Sequence, residues 1–164
     1  MTEKQAIIEE FEYRVFLESY ERIFKCLSLI VEEDLWRSPN STITSIGCLI
    51  QHLNGNVRQW ILSGVGQQLN VRKREEEFIQ NFDKTKNVLM EEMKELKIEL
   101  IHFFENTPTI NLQQKITVQN FNLTIFSAII HVIEHYSYHT GQITTITKLL
   151  TNKETGYYED FTLD

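Results

Sequence analysis

Two prolines in 164 residues, Pro39 and Pro108, constrain this chain more than any other feature. Both fall between long stretches whose apolar residues recur at helical spacing, so the uninterrupted segments read as helices. From Glu3 to Val31 the series is Ile7, Ile8, Phe11, Val15, Leu17, Tyr20, Phe24, Leu27 and Val31, with charged residues between. Glu32-Glu33-Asp34-Leu35-Trp36 then leads to a turn at Ser38-Pro39-Asn40, and Trp36 reads as a plug for the bundle's end. A second helix, capped by Thr44, runs from Ser45 to about Ser63 and buries Ile46, Leu49, Ile50, Leu53, Val57 and Trp60; Gly64-Val65-Gly66 ends it. A third runs from near Glu75 or Asp83 to about Phe104, with Val88, Leu89, Met93, Leu96, Leu100 and Phe103 inward. Lys115 to Thr124 alternates and favours strand, predicting a short extended or hairpin piece. The fourth helix then spans about Thr124 to Leu150. The expectation is an all-α bundle of four helices over residues 1–150, followed by a polar tail, 151–164, whose Tyr157, Tyr158 and Phe161 are placed to dock on the bundle or on a second subunit.

Within that frame the fourth helix carries the chemistry. His135 and His139 are four residues apart, about 40° around the helix axis, and Ala128, Val132, Ile143 and Ile146 share their side. Two inward imidazoles need partners, because each brings a donor and an acceptor into a place with little water. Carbonyls or a neighbouring tyrosine satisfy that need in many cores. A metal ion taking one nitrogen from each satisfies it more simply, and His52, beside the buried stripe of the second helix, is the candidate third ligand. A lone histidine beside an apolar face is often a boundary residue, so both readings stand at this point. Glu134 adjoins His135 but points about 100° away, so the metalloprotease arrangement of a base between two ligands is absent. His102, near a helix C-terminus, reads as surface, and Lys73 and Glu76 read as a solvated charge cluster.

Composition excludes several function classes. A net charge of -7 argues against a nucleic-acid surface, and no apolar run approaches a membrane span. Met1-Thr2-Glu3-Lys4-Gln5 lacks a signal peptide's basic start and oily centre. Cys26 and Cys48 each lie within an apolar helical pattern and read as buried thiols rather than a disulfide, which points to a cytoplasmic protein.

Three boxes carry a resemblance. The second helix holds His52-Leu53-Asn54-Gly55-Asn56 and Trp60; the connector holds Arg72-Lys73-Arg74-Glu75-Glu76-Glu77-Phe78; the fourth helix holds His135-Tyr136-Ser137-Tyr138-His139-Thr140-Gly141-Gln142-Ile143. Together, over about residues 7 to 150, they resemble the DinB-like (YfiT-like) superfamily of metal-binding four-helix bundles, in its branch with H-L-x-G-N, R-x-R-(D/E)-x-E-F and H-x-x-x-H-x-G-Q-I segments. The resemblance implies an up-down-down-up bundle and a divalent metal, zinc or nickel, held by His52, His135 and His139. It places Asn56, Arg72, Arg74 and Glu77 at the pocket mouth, with Arg–Glu pairing and substrate contact equally open, and His131 as pocket lining or support. It implies a small-molecule substrate, foremost a low-molecular-weight thiol (bacillithiol or mycothiol) that a thiol S-transferase passes to an electrophile. A metal-dependent hydrolase of a small substrate is the alternative, and a non-catalytic metal-binding or homodimeric interaction protein is the third.

Overall fold

The computed structural model describes residues 1–107, 109–159 and 162. Helix α1 (residues 3–29) is α-helical over Glu3–Glu12, π-helical over Tyr13–Ser19 and α-helical again over Tyr20–Leu29. A capping box between Thr2 and Gln5 starts it. The wider turn arises where the Tyr20 amide donates to the Val15 carbonyl and the Ser19 hydroxyl donates to Arg14 O, 2.8 Å away. It buries Val15, Phe16, Ser19 and Tyr20 together while Leu17, expected inside, is 58% exposed. The helix stops at Leu29 rather than Val31, because Ile30 is extended and Glu32–Asp34 winds into a 3-10 turn.

Helix α2 (residues 46–65) is α-helical over Ile46–Val57 and π-helical over Arg58–Val65. Ser45, not Thr44, caps it: Ser45 has the extended backbone a cap needs and its hydroxyl accepts from the Cys48 amide. Helix α3 is Lys86–Asn106, capped by Thr85. It starts later than expected, since Arg74–Phe78 closes as a separate 3-10 turn. Leu89, Met93, Leu96, Leu100 and Phe104 form its buried side, whereas Val88 is exposed at 41%. Beyond α3, β1 (Lys115–Val118) and β2 (Phe121–Thr124) pair antiparallel, as the alternation predicted. Gln119 and Asn120 between them both have positive φ, the geometry that a two-residue hairpin turn demands. Helix α4, Ile125–Thr151, is capped by Thr124 and ends on left-handed Asn152.

Side-chain pairings fix the order. Phe11 packs on Phe104, and the Lys86 ammonium reaches the Leu27 and Ile30 carbonyls, so α1 and α3 are antiparallel. Tyr20 lies against Tyr136 and Cys26 beside Thr144, so α1 and α4 run the same way. Trp60 meets His131 and His52 meets His135, so α2 and α4 are antiparallel. The bundle is therefore up-down-down-up. Its long link, residues 66–85, must return the chain along α2, and the Gln51 amide holds it there through the Glu77 and Ile79 carbonyls. That return lays the connector over His52.

Trp36 plugs the bundle's end, its indole N–H donating to Lys84 O at 2.9 Å. Cys26 and Cys48 are free, buried thiols. The tail packs on the bundle: the Tyr157 hydroxyl lies 3.0 Å from Cys26 Sγ and 2.7 Å from Thr144 Oγ1, and Arg22 donates to the Tyr158 hydroxyl. Pro108 and Phe161 lie outside the described residues. Among those described, no helix is long and apolar enough to cross a membrane.

Candidate metal centre

Helical spacing sets His135 one turn before His139 on α4, and the antiparallel α2 brings His52 to face them. Their ring centroids are 4.4 Å apart for His135 and His139, 4.9 Å for His52 and His135, and 5.1 Å for His52 and His139. One nitrogen from each lies within 4.8 Å of the other two. The Nε2 atoms of His52 and His135 are 3.0 Å apart. Two bare lone pairs would not approach so closely: either one ring carries its hydrogen on this nitrogen and donates it to the other, or a metal ion is bound to both. Imidazoles bound tetrahedrally at about 2.0–2.1 Å would have their nitrogens about 3.3 Å apart.

The surroundings fit a metal. Nδ1 of His52 lies 2.8 Å from Glu77 Oε2, and an ionised carboxylate can only accept, so Nδ1 carries the hydrogen and Nε2 presents a lone pair. Nδ1 of His139 donates in the same way to Gln142 Oε1 at 2.6 Å. A ligating histidine needs this kind of support, because the outer hydrogen bond fixes both tautomer and ring direction. Burial pushes the His135 pKa down to about 3, helped by the neighbouring His139, His52 and His131 and by Arg72. Burial, with the neighbouring His52, also lowers His139, against the hydrogen bond it donates to Gln142. A neutral imidazole is the form a metal binds. His52, His135 and His139 thus form a buried group that can hold a metal ion.

Arg72 and Glu77 pair with each other, Nε to Oε1 at 2.6 Å and Nη2 to Oε2 at 2.7 Å, and the remaining Arg72 nitrogen donates to Gln59 Oε1. Burial alone would raise the Glu77 pKa; the Arg72 hydrogen bonds, with those of His52 and the Arg72 charge, hold it below the ordinary carboxylate range. The carboxylate lies over Gly55, where a Cβ would come 1.9 Å from Oε1. Phe78 covers His52 at 4.9 Å, and the exposed Arg74 guanidinium sits over Phe78 at 5.2 Å, on the outer rim. Asn56 is buried one turn beyond His52, its Oδ1 without a hydrogen-bond partner among the described residues. His131 does not join the three-nitrogen group: it stacks between Trp60, at 3.9 Å, and His135, at 5.4 Å. Lys73 and Glu76 are solvated and His102 is exposed, as expected.

Two contributors escaped the sequence reading. Gln142 does for His139 what Glu77 does for His52, and its i, i+3 spacing from His139 was the available signal. Gly55 makes room for the carboxylate, which only the folded connector reveals.

Four helices in this order, with a hairpin before the last, have the fold of a DinB-like helical bundle. The chain is similar in structure to a DinB-like protein from Bacillus cereus (TM-score 0.70, 14% identity, covering 89% of this chain and 91% of that one). It is similar also to a conserved protein from Enterococcus faecalis (TM-score 0.74, 15% identity, 93% and 99% covered). At such identities the likeness is one of fold. The chain belongs to the family described as "Protein of unknown function (DUF1572)", whose model matches residues 6–158. No curated protein matches it.

Proposed function

We propose that this protein is a thiol S-transferase, which joins a low-molecular-weight thiol to an electrophile using a zinc or nickel ion held by His52, His135 and His139. The observation that carries the choice is the state of Glu77. It is the carboxylate that touches the group, through His52, and Arg72 and His52 occupy both its oxygens. Glu134 is exposed and lines a different depression with Arg14 and Arg22. Hydrolysis by an activated water calls for a base beside the attacking oxygen, whereas a thiol made acidic enough needs none of comparable strength. A divalent ion held by the three neutral imidazoles of His52, His135 and His139 would supply that acidity to a thiol.

The chain's own residues do the rest. Glu77 and Gln142 keep the two imidazole lone pairs aimed inward, and Phe78 limits water above His52. Arg74, on the rim over Phe78, is placed to receive an anionic part of the thiol. In the transfer, the thiol proton passes to solvent. The sulfur electron pair forms a bond to carbon as the carbon–leaving-group bond breaks, and the leaving group departs with its pair.

The test uses untagged protein, assayed for metal content, and incubated with an aromatic halide with and without bacillithiol. Conjugation that requires thiol and metal, and that is lost in a folded His135→Ala variant, is the expected result. Turnover without thiol would move the assignment to the hydrolase, and full conjugation in His135→Ala would end it.

A further inference from the structure

A groove of about 660 Å³ opens directly from the third imidazole. His139 and Phe78 stand at its inner end; Ile43, Leu49, Ile146 and Leu149 make its walls. Its other lining residues are threonines, Tyr138, Gln142 and Gly141, with no Asp, Glu, Lys or Arg among them. That is unlike the opposite face of α2, where the depression beside Arg72 is lined by Arg58, Lys73, Lys84, Glu76, Glu92 and Glu99. A charged ligand portion would find no counter-ion in the groove and would lose its water there. The volume lies in the range of small-molecule sites.

Gly141 is the telling residue. It sits in the interior of α4, where glycine costs roughly 1 kcal/mol relative to alanine. A glycine tolerated at that cost commonly lets another part of the fold come close. Here a Cβ would meet nothing within 4 Å, and the backbone has no left-handed φ. The fold does not need glycine at this position. The side chain that is absent would stand on the groove's wall, two residues after His139.

We propose that this groove binds the uncharged, apolar portion of the molecule whose polar end reaches the ion held by the three histidines, and that Gly141 sets the groove's width. This rests on the metal reading above and names its substrate class: a molecule with an extended aliphatic or aromatic part free of charge next to its reacting group. Ile43 and Leu149, partly exposed at the outer end, are the far contacts of that part.

Straight-chain hydroxamates from acetohydroxamate to octanohydroxamate separate the two readings, since the head binds metal and only the tail probes the groove. Affinities are measured by calorimetry on the metal-loaded protein. The expected gain is about three- to fourfold for each methylene that enters the groove. In Gly141→Leu, which places a side chain into open space, that gain is expected to flatten while acetohydroxamate affinity and metal content stay as they were. Ile43→Asp, a change at a half-open position, is expected to weaken only the longest tails. Equal affinity along the series in the wild type, or an unchanged series in Gly141→Leu, would overturn the groove and leave the metal site standing. A protein that takes up no metal and binds no hydroxamate would overturn both.

Discussion

The two ends of the polar interior differ sharply. Around His52, the described contacts use both oxygens of Glu77 and all three nitrogens of Arg72. One to two turns further along α2, buried Asn56 Oδ1 and Trp60 Nε1 find no protein partner among the described residues, nor does His131 Nε2 opposite them. The first end is built as a fixed support, whose polar groups stabilise one another. The second holds polar groups that the fold does not use, and a native core keeps few of those without a reason. The difference separates the residues that hold the three imidazoles from those that remain available to a ligand.

The comparison breaks most visibly at Glu77. Glu77→Ala leaves the Arg72 guanidinium, nearly inaccessible, without its counter-charge. Removing one partner of a buried pair costs about 3–5 kcal/mol, read by urea denaturation. Because His52 also loses the acceptor that fixes its tautomer, metal affinity should fall roughly 10- to 100-fold in a chelator competition. A loss of stability with metal affinity unchanged would make the pair a clamp for the connector alone.

Gly55→Ala is the milder probe of the same end. On helix propensity alone it should stabilise by roughly 1 kcal/mol. The new methyl would meet the Glu77 carboxylate, so a net loss of about 1–3 kcal/mol is expected, with weaker metal retention. A gain in melting temperature would mean that the carboxylate moves aside freely.

These two residues also mark how far the sequence could be read. The pair His135 and His139 was legible because its geometry is local: four residues of helix bring two rings together whatever the rest does. His52 needed α2 and α4 to run antiparallel, which came from the resemblance rather than from spacing. Arg72 and Glu77 were visible as residues, but whether they paired or faced a ligand depended on where the link between α2 and α3 came to rest. The π-helical stretches, Tyr13–Ser19 and Arg58–Val65, left no trace in the apolar periodicity, since tertiary burial of Ser19, Tyr20 and Trp60 decides them. The exposure of Leu17 follows from that shift. Gln142 was in plain view within its box, and its use became apparent only when the His139 ring direction was known.

At the other end, His131→Phe keeps a ring against Trp60 and removes an unpaired buried nitrogen. If the fold does not use that nitrogen, stability should hold or rise by up to about 1 kcal/mol, and metal content should not change. Calorimetry with and without metal checks both. A loss beyond about 1 kcal/mol would show that the polar groups here are structural, and the contrast between the two ends would narrow.

The smallest expected effect supplies the control for Glu77. Glu12 on α1 is another carboxylate that burial pushes upward, but Glu105 and Glu9 push it further and only Lys97 opposes them, so its pKa stays above the ordinary value. The two groups therefore bear on stability with opposite sign. Glu77, with a lowered pKa, stabilises the fold above the unfolded-state carboxylate pKa, and that contribution is lost as pH falls through its folded value. Glu12, with a raised pKa, is unfavourable when ionised at neutral pH, and the penalty disappears as pH falls and the folded state takes up the proton first. Glu12→Gln should then raise stability at pH 7 by no more than ~0.5 kcal/mol, with the gain vanishing near pH 4. Melting curves of both proteins at the two pH values decide it. Partial burial is common to both carboxylates, so a gain at Glu12 set beside a loss at Glu77 would assign the difference to their neighbours, the cation at one and the anions at the other.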